Sequence, residues 1–374
     1  MDQRPDRFIR AGILGCGRVA QHYASIFSGS RAPDNMRIVA CCDLLAERAE
    51  ATAAHFGASS YTDLEAMLAE AGLDVVLILT ESGKHAAHAE AALGAGVNVI
   101  VEKPVVLRPD EADRLAAIAQ LRGLMYGTVF QNRFNPAVRA LKHAYDQGRF
   151  GRIVTATIRL RWCRLQSYYE DGWHGTWAQD GGVINQQAIH HVDALNWIVG
   201  PITRVCALMG NRLNELEAED TMTGIVEFAN GALGTLEATT AARPEDFEAS
   251  LSIVGERGMA VVGGIALNKI DMWRFIDEEP GDAALPALAS EDVPTGYGLS
   301  HGPYLQELGD RLLRGETAAP ISAAEGARAV KLVHALYASI ERDGWVRLSD
   351  NPMSQRLGCN ISAAGEILLG RRAV

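Results

Sequence analysis

Hydrophobic positions in the first third of the chain form short unbroken runs, separated by alanine-rich stretches with helical periodicity. The runs read FIRAGIL, RIVACC, DVVLILT and VNVIV, and the stretches between them include LLAERAEATAAHFG and KHAAHAEAALGAG. Unbroken apolar strands that alternate with helices are typical of a parallel sheet covered by helices on both faces. We therefore predict a doubly wound α/β nucleotide-binding domain over residues 1–126.

Apolar and polar residues begin to alternate beyond this point. Between Arg152 and Trp162 one predicted strand face carries only apolar residues: Val154, Ala156, Ile158, Leu160 and Trp162. Such alternation is typical of a half-buried antiparallel strand. Two hairpins follow, one with an Asn230-Gly231 pair that favours a type I′ turn, the other in SLSIVGERGMAVVGG. Helices are predicted around Pro303–Arg314 and Ala323–Arg342.

The length of the chain agrees with two domains, since 374 residues are more than one domain with a single hydrophobic core usually contains. Residues 127–374 are predicted to form a second domain of α+β class with a mostly antiparallel sheet. Hydrophobic residues make up 48% and charged residues 22% of the chain, as in a soluble globular protein. No apolar run approaches the ~18 residues of a membrane span, and the first residues lack the apolar core of a secretory signal. We expect a cytoplasmic protein.

Cysteine usage and charge narrow the classes of ligand. The six cysteines form no Cys-x-x-Cys pair and do not cluster with histidine, so we predict reduced thiols and no metal site. The formal net charge of −11 disfavours nucleic acid as a partner, because phosphate backbones bind clustered Lys and Arg. An anionic small molecule can still bind a local basic pocket.

The segment GILGCGRVA carries a candidate dinucleotide motif, Gly15-x-Gly17-x-x-Ala20, directly after an apolar strand and at the start of a helix. The first glycine permits a tight turn, the second lets the backbone approach a pyrophosphate, and the small third residue lets helix and strand pack closely. The spacing alone also fits an ordinary glycine turn, but its place between strand and helix favours the cofactor. Arg18 and Val19 belong to the same predicted site.

Asp43 ends the second predicted strand, where an acid accepts hydrogen bonds from the adenosine ribose. An acid here repels a 2′-phosphate, so NAD is favoured over NADP. The alternative for Asp43 is an N-cap of the following helix. We also assign Thr80, at the end of DVVLILT, to the cofactor site.

The Glu102-Lys103-Pro104 triplet interrupts an apolar segment where a strand should end. Ligands of doubly wound sheets bind at the carboxyl ends of the strands, so this triplet lies close to the predicted nicotinamide. A lysine there can donate a hydrogen bond to a substrate oxygen, and partial burial would lower its pKa towards the useful range. The alternative is a surface lysine neutralised by Glu102.

A second candidate lies in DGGVINQQAIHHVDALNW, where two glycines precede a predicted helix. Gln186, His190 and Asp193 share one face of that helix, and a carboxylate one turn from a histidine can fix the imidazole tautomer. Asn185 points elsewhere and is a candidate ligand of substrate hydroxyl or acetamido groups, as is Gln186. A satisfied core histidine and helix capping are the structural alternatives.

These three motifs in this order resemble the glucose–fructose oxidoreductase, inositol dehydrogenase and rhizopine-catabolism (Gfo/Idh/MocA) family of NAD(P)-dependent sugar dehydrogenases. The resemblance spans essentially the whole chain. It implies an N-terminal Rossmann domain joined to an open, mainly antiparallel sheet that binds substrate and forms oligomers, commonly dimers or tetramers. It also implies that Lys103 and His190 approach the substrate from two sides.

The implied reaction moves a hydride from a sugar carbon to the nicotinamide while a base takes the hydroxyl proton. His190 is the preferred base and Lys103 the group that polarises the oxygen, although the sequence also allows these roles to be exchanged. Many relatives carry Asp where this chain has Gln186, and glutamine cannot act as a base. NQQAIHHVD, RWCRLQSYYEDGWHGTW and PTGYGLSHGPYL look most like the branch that oxidises the 3-hydroxyl of UDP-linked amino sugars and uronates.

A basic and aromatic segment supplies the remaining candidate ligands. It contains Arg159, Arg161, Arg164, Trp162, Tyr168, Tyr169 and Trp173. Arginine forms bidentate pairs with carboxylate and phosphate, so we assign Arg164 and Tyr169 to substrate binding. The alternative is a solvated strand face with aromatic residues at a subunit interface.

Three rival functions remain open from the sequence. The protein could be a dehydrogenase of a free sugar or polyol, an NAD-dependent glycoside hydrolase, or a dinucleotide-sensing regulator of the same fold. Intact Lys103 and His190 count against the regulator, since a sensor has no need of them.

Overall fold

The computed structural model describes residues 8–359 and contains two β-sheets with helices packed against them. In chain order the strands are β1 Ile9–Leu14, β2 Met36–Cys42, β3 Ser59–Tyr61, β4 Val75–Ile78, β5 Asn98–Val101, β6 Tyr126–Thr128, β7 Ile153–Arg161, β8 Ile202–Gly210, β9 Thr221–Phe228, β10 Leu233–Thr239, β11 Glu248–Gly255, β12 Gly258–Gly263, β13 Lys269–Phe275 and β14 Val346–Arg347. In chain order the helices are α1 Arg18–Phe27, α2 Ala46–Phe56, α3 Leu64–Glu70, α4 His85–Gly94, α5 Pro109–Arg122, α6 Pro136–Asp146, α7 Val183–Gln186, α8 Ile189–Val199, α9 Leu285–Leu288, α10 His301–Leu313 and α11 Ala323–Glu341.

The first sheet has the strand order β3-β2-β1-β4-β5-β6, with all neighbouring strands parallel. This confirms the doubly wound prediction. Nearly every residue of β1, β4 and β5 is buried, as expected where helices cover both faces. The strand order reverses between β1 and β4, and such a switch point opens a crevice at the carboxyl ends of the strands.

The second sheet has eight strands in the order β13-β12-β11-β7-β10-β9-β8-β14. Strands β10 and β7 are parallel and the other neighbouring pairs are antiparallel, which confirms the mostly antiparallel prediction. Helix α8 packs on β7 and helix α11 packs on β8. The inward residues of β7 (Ala156, Ile158 and Leu160) are buried beneath this layer, while Arg159 is exposed on the other face.

The prediction that Val154 lies on the buried face of β7 is wrong. Its side chain is 49% exposed, and Ile153 is buried instead. The pairing of β7 with β11 shifts at this point, because Val254 pairs with Thr155 whereas Gly255 pairs with Ile153. A bulge of this kind offsets the alternation, so the neighbouring residue turns inward.

The hairpin predicted at Asn230-Gly231 forms between β9 and β10, but its turn is not type I′. A type I′ turn needs positive φ at both central residues, whereas Gly231 has a φ of 85° and Asn230 is not among the residues of positive φ. The Asn230 amide donates instead to the carbonyl oxygen of Val199 at 3.2 Å. The N–H of Gly231 donates to the carbonyl oxygen of Phe228 at 2.9 Å, so Ala229 and Asn230 are the central residues and Gly231 follows them. The second predicted hairpin is confirmed as β11 and β12.

The last two helices, predicted around Pro303–Arg314 and Ala323–Arg342, are confirmed as α10 and α11, and both return to the first sheet. The hydroxyl of Tyr304 in α10 donates to the carbonyl oxygen of Thr128 at 2.9 Å. The N–H of Thr128 donates in turn to the carbonyl oxygen of Ile321 at 3.1 Å. The boundary at residue 126 stays a prediction, and β6 extends two residues beyond it.

The apolar character of the helices fits a globular core. None of the helices between residues 8 and 359 combines the length and apolarity needed to cross a bilayer. The long helix α11 begins with a capping box, in which Ser322 accepts from the N–H of Glu325 and the Glu325 carboxylate accepts from the N–H of Ser322. The box satisfies two N–H groups that the start of a helix would otherwise leave unpaired.

Candidate active site

The turn between β1 and α1 has the geometry of a dinucleotide phosphate site. Gly15 has a φ of 93°, and a Cβ there would lie 2.9 Å from the carbonyl group of Leu79, so glycine is required. A Cβ on Gly17 would meet no described atom within 4 Å, which leaves open space at the start of α1. Among residues 8–359 no side chain caps the first N–H groups of α1. Free N–H groups at a helix start bind phosphate oxygens, so the turn fits the pyrophosphate of NAD.

Asp43 follows β2 and lies beside this turn. Its Oδ2 accepts a hydrogen bond from the N–H of Cys16 at 2.8 Å, and its Oδ1 accepts one from the N–H of Leu45 at 2.9 Å. The N-cap of α2 is Leu45, so the alternative that Asp43 caps this helix is wrong. The two backbone bonds hold the half-buried carboxylate where this class of fold binds the ribose hydroxyls.

Three further predicted cofactor residues lie around the turn: Arg18, Val19 and Thr80. The methyl group of Thr80 borders Gly15, and Val19 is half-buried against the core. The Arg18 guanidinium donates to the carboxylate of Asp171 at 2.6 Å and lies over the ring of Tyr168, 4.6 Å from its centroid. Both partners belong to the loop between β7 and α7, so Arg18 joins the cofactor turn to the second sheet.

Glu102 follows the last residue of β5, and its buried carboxylate is held from three directions. The hydroxyl of Tyr23 donates to Oε1 at 2.9 Å, and Nε2 of His301 lies 3.5 Å from the same oxygen. The N–H of Lys103 donates to Oε2 at 3.1 Å. Burial alone would raise the pKa of Glu102, but His301 and then Lys103 lower this pKa to about 2. The carboxylate is therefore ionised and fixes the turn that carries Lys103.

Lys103 reaches from this turn to α7. Its Nζ donates to the carbonyl oxygen of Gln186 at 2.7 Å and to Oε1 of the same residue at 2.6 Å. Burial lowers the pKa of Lys103, against the attraction of Glu102 and Asp180. The two acceptors on Gln186 take two of the three positions around Nζ, so the third is left for a substrate oxygen.

His190 lies near the start of α8, beyond a break at residues 187–188 that separates it from α7. The imidazole is buried, and its ring packs edge-on against Phe130 with centroids 5.6 Å apart. Its Nδ1 has no hydrogen-bond partner within residues 8–359. Burial, and next the charge of Lys103, lower the pKa of His190 well below its usual range. The ring is therefore neutral and close to the lysine.

The predicted pairing of His190 with Asp193 is wrong. The Asp193 carboxylate accepts two hydrogen bonds from Arg133, at 2.8 Å from Nε and 2.7 Å from Nη2. Arg133 also donates to Glu325 at 3.0 Å. Asp193 is thus committed to a buried ion pair that anchors α8, and it does not orient the imidazole.

Sequence reasoning missed Asp180, the residue before the Gly181-Gly182 pair. Its carboxylate is buried and accepts from Nε2 of Gln186 at 2.7 Å and from the N–H of Gly175 at 2.9 Å. Its carbonyl oxygen accepts from the amide of Asn185 at 2.5 Å, so Asn185 supports this turn. Burial raises the pKa of Asp180 to about 7, against the Gly175 bond and the charge of Lys103. An aspartate before two glycines reads as an ordinary turn, so the sequence carries no signal of its burial.

The turn itself rests on a second buried acid, Glu219. Its carboxylate accepts from the hydroxyl of Tyr337 at 3.0 and 3.1 Å and from the N–H of Ile184 at 3.1 Å. A Cβ on Gly182 would lie 2.1 Å from Oε2 of Glu219, so the glycine is required by close approach. The acid therefore holds the start of α7 in place.

The basic and aromatic segment divides into two parts. Arg164 forms an ion pair with Asp246 at 2.9 Å and lies close enough to Lys103 to lower its pKa. The hydroxyl of Tyr169 lies 2.7 Å from Oγ1 of Thr240. The Arg164 guanidinium lies 5.7 Å from the centroid of the Tyr168 ring, over which Arg18 also lies, so Arg164 and Tyr168 are beside the cofactor turn.

Arg159 and Arg161 lie elsewhere, on the outer face of the second sheet. Arg161 pairs with Glu237 of β10 at 2.7 Å and with Glu248 of β11 at 3.1 Å, and Arg159 lies 3.9 Å from Glu248. In the single chain Arg159 is exposed and Arg161 is half-buried on this face, so the alternative of a strand face applies to these two residues.

His85 and His301 also have places in the site that the sequence did not reveal. The Nδ1 of His85 lies 2.7 Å from the carbonyl oxygen of Pro104 and its Nε2 lies 3.0 Å from that of Thr80. It thereby links the ends of β4 and β5. His301 comes from α10, about 200 residues further along the chain, and only the fold brings it to Glu102. Among residues 8–359 no three His, Cys, Asp or Glu side chains are grouped to hold a metal ion.

Comparison with known proteins agrees with this geometry. Residues 9–130 match the profile of an oxidoreductase family with an NAD-binding Rossmann fold, and residues 138–261 match the GFO/IDH/MocA C-terminal domain. The chain is 33% identical in sequence to the WlbA dehydrogenase from Bordetella pertussis, whose structure in complex with NADH and UDP-GlcNAcA is known. The two structures superpose with a TM-score of 0.85. That match covers 91% of this chain and 98% of the other.

Two curated relatives match over shorter stretches. The D-glucoside 3-dehydrogenase of Escherichia coli (strain K12) is 29% identical over 255 residues, which is 62% of this chain and 70% of that protein. The inositol 2-dehydrogenase of Rhizobium meliloti (strain 1021) is 29% identical over 235 residues, 60% of this chain. In the second case the match spans 66% of the relative, just under two thirds of its length.

Proposed function

The chain belongs to the GFO/IDH/MocA family of NAD-dependent oxidoreductases, and on that premise we propose that it oxidises the C3 hydroxyl of a UDP-linked amino sugar or its uronate. It is a sugar dehydrogenase that acts on a CH–OH group with NAD as cofactor. The nucleotide sugar is supported by the likeness to the WlbA dehydrogenase, whose complex holds UDP-GlcNAcA and which this chain covers almost completely.

One observation carries the proposed chemistry, the double hydrogen bond from Lys103 to Gln186 beside a neutral His190. When bound, NAD accepts a hydride from the sugar carbon. We propose that the hydroxyl proton passes to Nζ of Lys103, whose lone pair is left free by the two acceptors on Gln186. His190 then donates or accepts a hydrogen bond at the same substrate oxygen. A base positioned in this way contributes roughly 10²- to 10⁴-fold to the rate.

The cofactor assignments extend the same proposal. Gly15, Gly17 and the N–H groups of α1 bind the pyrophosphate, and Asp43 binds the adenosine ribose. Arg164 and Tyr169 contact the sugar or its diphosphate, together with Arg18 and Tyr168. The support is that Arg18 and Arg164 both lie over the ring of Tyr168, next to the glycine turn.

The test is nicotinamide absorbance after rapid mixing of NAD-loaded protein with UDP-2-acetamido-2-deoxyglucuronate, UDP-N-acetylglucosamine, glucose or myo-inositol. We expect NADH with a UDP-sugar only, and its loss in the Lys103→Ala variant. Lys331→Ala is the matched control, because Lys331 is 46% exposed and pairs with Asp113 on the surface. Formation of NADH with glucose or inositol alone would refute the assignment of a nucleotide-sugar substrate. Absence of NADH with all four compounds would refute dehydrogenase activity on these sugars.

We further propose that the protein forms a homodimer or homotetramer through the outer face of the second sheet. That face carries exposed apolar side chains on adjacent strands, including Leu208 at 77%, Ile225 at 46% and Leu233 at 62% exposure. Homodimer interfaces are more apolar than the rest of a protein surface, which is the support for this face. Light scattering of the native protein and of an Ile225→Arg variant tests this, since a monomeric native protein refutes it.

The cytoplasm is the location that we propose. The six cysteines from Cys16 to Cys359 are free thiols, as expected in a reducing compartment. Compartment fractionation with an antibody to the native protein tests the assignment, and recovery outside the cytoplasmic fraction contradicts it.

A further inference from the structure

Gln186 lies between a lysine and a carboxylate, and this position fixes the orientation of its amide. As the base of the proposed reaction, Lys103 is a neutral amine that can donate or accept, whereas an ionised Asp180 can only accept. Only one orientation satisfies both neighbours, with Oε1 towards Lys103 at 2.6 Å and Nε2 towards Asp180 at 2.7 Å. The carboxylate of Asp180 is therefore what makes Gln186 an acceptor for the lysine.

Two carboxylates attract Lys103, and they are committed differently. Glu102 is held by Tyr23, by His301 and by the N–H of Lys103 itself. Asp180 is 1% exposed, and apart from the N–H of Gly175 its side-chain hydrogen bond runs through Gln186 towards the lysine. Asp180 thus acts on Lys103 both by charge and through the amide.

We propose that Asp180 is a positioning residue of this enzyme, whose buried carboxylate holds the Gln186 amide oxygen against Lys103 and supplies the counter-charge of the lysine. The inference rests on the proposed role of Lys103 as proton acceptor. It assigns to Asp180 the work of a carboxylate that the sequence lacks at position 186, and it explains why a glutamine serves there.

The ionisation of Lys103 and Asp180 depends on the charged and titratable groups around them. The titratable and charged groups that act on Lys103 or Asp180 are His85, Glu102, Arg164, Asp171, Tyr168, Tyr169, His174, His190, Glu219 and Tyr337. Removal of the Asp180 charge makes the Lys103 cation less stable. The lysine then loses its proton at lower pH, because a nearby opposite charge is what favours its charged form.

The experiment measures kcat and kcat/KM against pH for the native enzyme and for Asp180→Asn. An asparagine can donate as well as accept, so the Gln186 amide loses its single orientation and can present N–H groups to the lysine lone pair. We expect kcat to fall roughly 10- to 100-fold. We also expect the acidic limb of the kcat/KM profile to move about one pH unit lower. An acidic limb that coincides with the native one overturns the proposal.

The matched control is Glu219→Gln, which replaces the other buried acid next to the same turn. Glu219 bonds to Tyr337 and Ile184 rather than to Gln186, so this variant should keep the native acidic limb. An equal shift in both variants would assign the effect to general burial of charge and overturn the role of Asp180. Thermal melting establishes that each variant is folded.

A double-mutant cycle with Gln186→Leu keeps the proposal testable should Asp180→Asn alone be unstable. With the amide removed, Asp180→Asn should reduce kcat by a smaller factor than it does in the native background, because only the charge of Asp180 still acts on Lys103. Additive losses of kcat would overturn the coupling.

A second readout separates this inference from the proposed substrate. The reaction of Lys103 with acetic anhydride depends on its neutral fraction and is measured against pH by mass spectrometry, without any sugar. Its midpoint should lie at lower pH in Asp180→Asn than in the native protein. If no sugar is oxidised but the midpoint still shifts, the proposed substrate is refuted and the positioning role of Asp180 stands. If the midpoint does not change, only the positioning role is refuted.

Discussion

Glu219 gives the sharpest test of how burial controls charge in this protein. The side chain is fully buried behind the Gly181-Gly182 turn, and burial raises its pKa to about 8, against the bonds from Ile184 and Tyr337. In the unfolded chain the same carboxyl titrates near its ordinary value of 4.5. Between these two values the native state binds a proton that the unfolded state has lost.

The sign of the effect follows from this difference. Stability that Glu219 contributes is fully present below the unfolded pKa and is lost as the pH rises through the folded pKa. The whole difference corresponds to roughly 5 kcal/mol at about 1.4 kcal/mol per pH unit. Between about pH 6 and about pH 9 the expected loss is on the order of 3 kcal/mol.

Glu219→Gln removes the titration and keeps the hydrogen bonds. The glutamine oxygen still accepts from the N–H of Ile184 and the hydroxyl of Tyr337. We therefore expect the variant to gain about 3 kcal/mol relative to the native protein between about pH 6 and about pH 9. The assay is urea unfolding at both pH values, followed by the fluorescence of Trp177, whose ring packs against Tyr337.

Comparing the two proteins cancels the contributions of the other titrating groups to the pH dependence of stability, including those of the buried histidines of lowered pKa. The reasoning is refuted if the difference in free energy of unfolding between the two proteins is the same at both pH values. Such a result would mean that Glu219 is ionised in the folded state at neutral pH. A variant less stable at every pH would show instead that a lost hydrogen bond outweighs the charge.

Three further outcomes follow from the structure. His191 is buried with both ring nitrogens unpartnered among the described residues, so His191→Leu should raise the free energy of unfolding by about 1–3 kcal/mol in urea; a decrease would reveal a hidden partner. Gly17→Ala should keep the native melting temperature but weaken NAD binding at least about tenfold by calorimetry, since its Cβ enters the phosphate space. Gly15→Ala should lower the melting temperature itself, and equal melting of the two variants would contradict this contrast. Asp43→Ser should shift the ratio of kcat/KM values from NAD towards NADP by at least about tenfold, and an unchanged ratio would remove Asp43 from the ribose site.

Elements governed by local pattern were predictable from the sequence. The parallel strands, the glycine turn before α1 and the strand end at Glu102 depend on neighbouring residues and on rules of sheet topology. The Asn230-Gly231 turn shows the limit of such rules. Its location was right, but its type was wrong, because Gly231 follows the two central residues Ala229 and Asn230 instead of being one of them.

The candidate site was predictable only in part, because its partners are distant along the chain. Asp193 looked like the partner of His190 by helical spacing, yet Arg133 lies 60 residues earlier and takes both of its oxygens. Asp180 gave no signal because its importance comes from burial under the second sheet. The break between α7 and α8 likewise depends on packing, since NQQAIHHVD contains neither glycine nor proline.

The return of α10 and α11 to the first sheet has a consequence for synthesis on the ribosome. Strand β6 is complete at Thr128, but α11 ends at Glu341, about 200 residues later. At a synthesis rate of about 5–20 residues per second, roughly 10–40 s pass between the completion of β6 and that of α11. Apolar groups that face α10 and α11 remain uncovered during that time, so we expect the nascent chain to depend on chaperones until both helices have been synthesised.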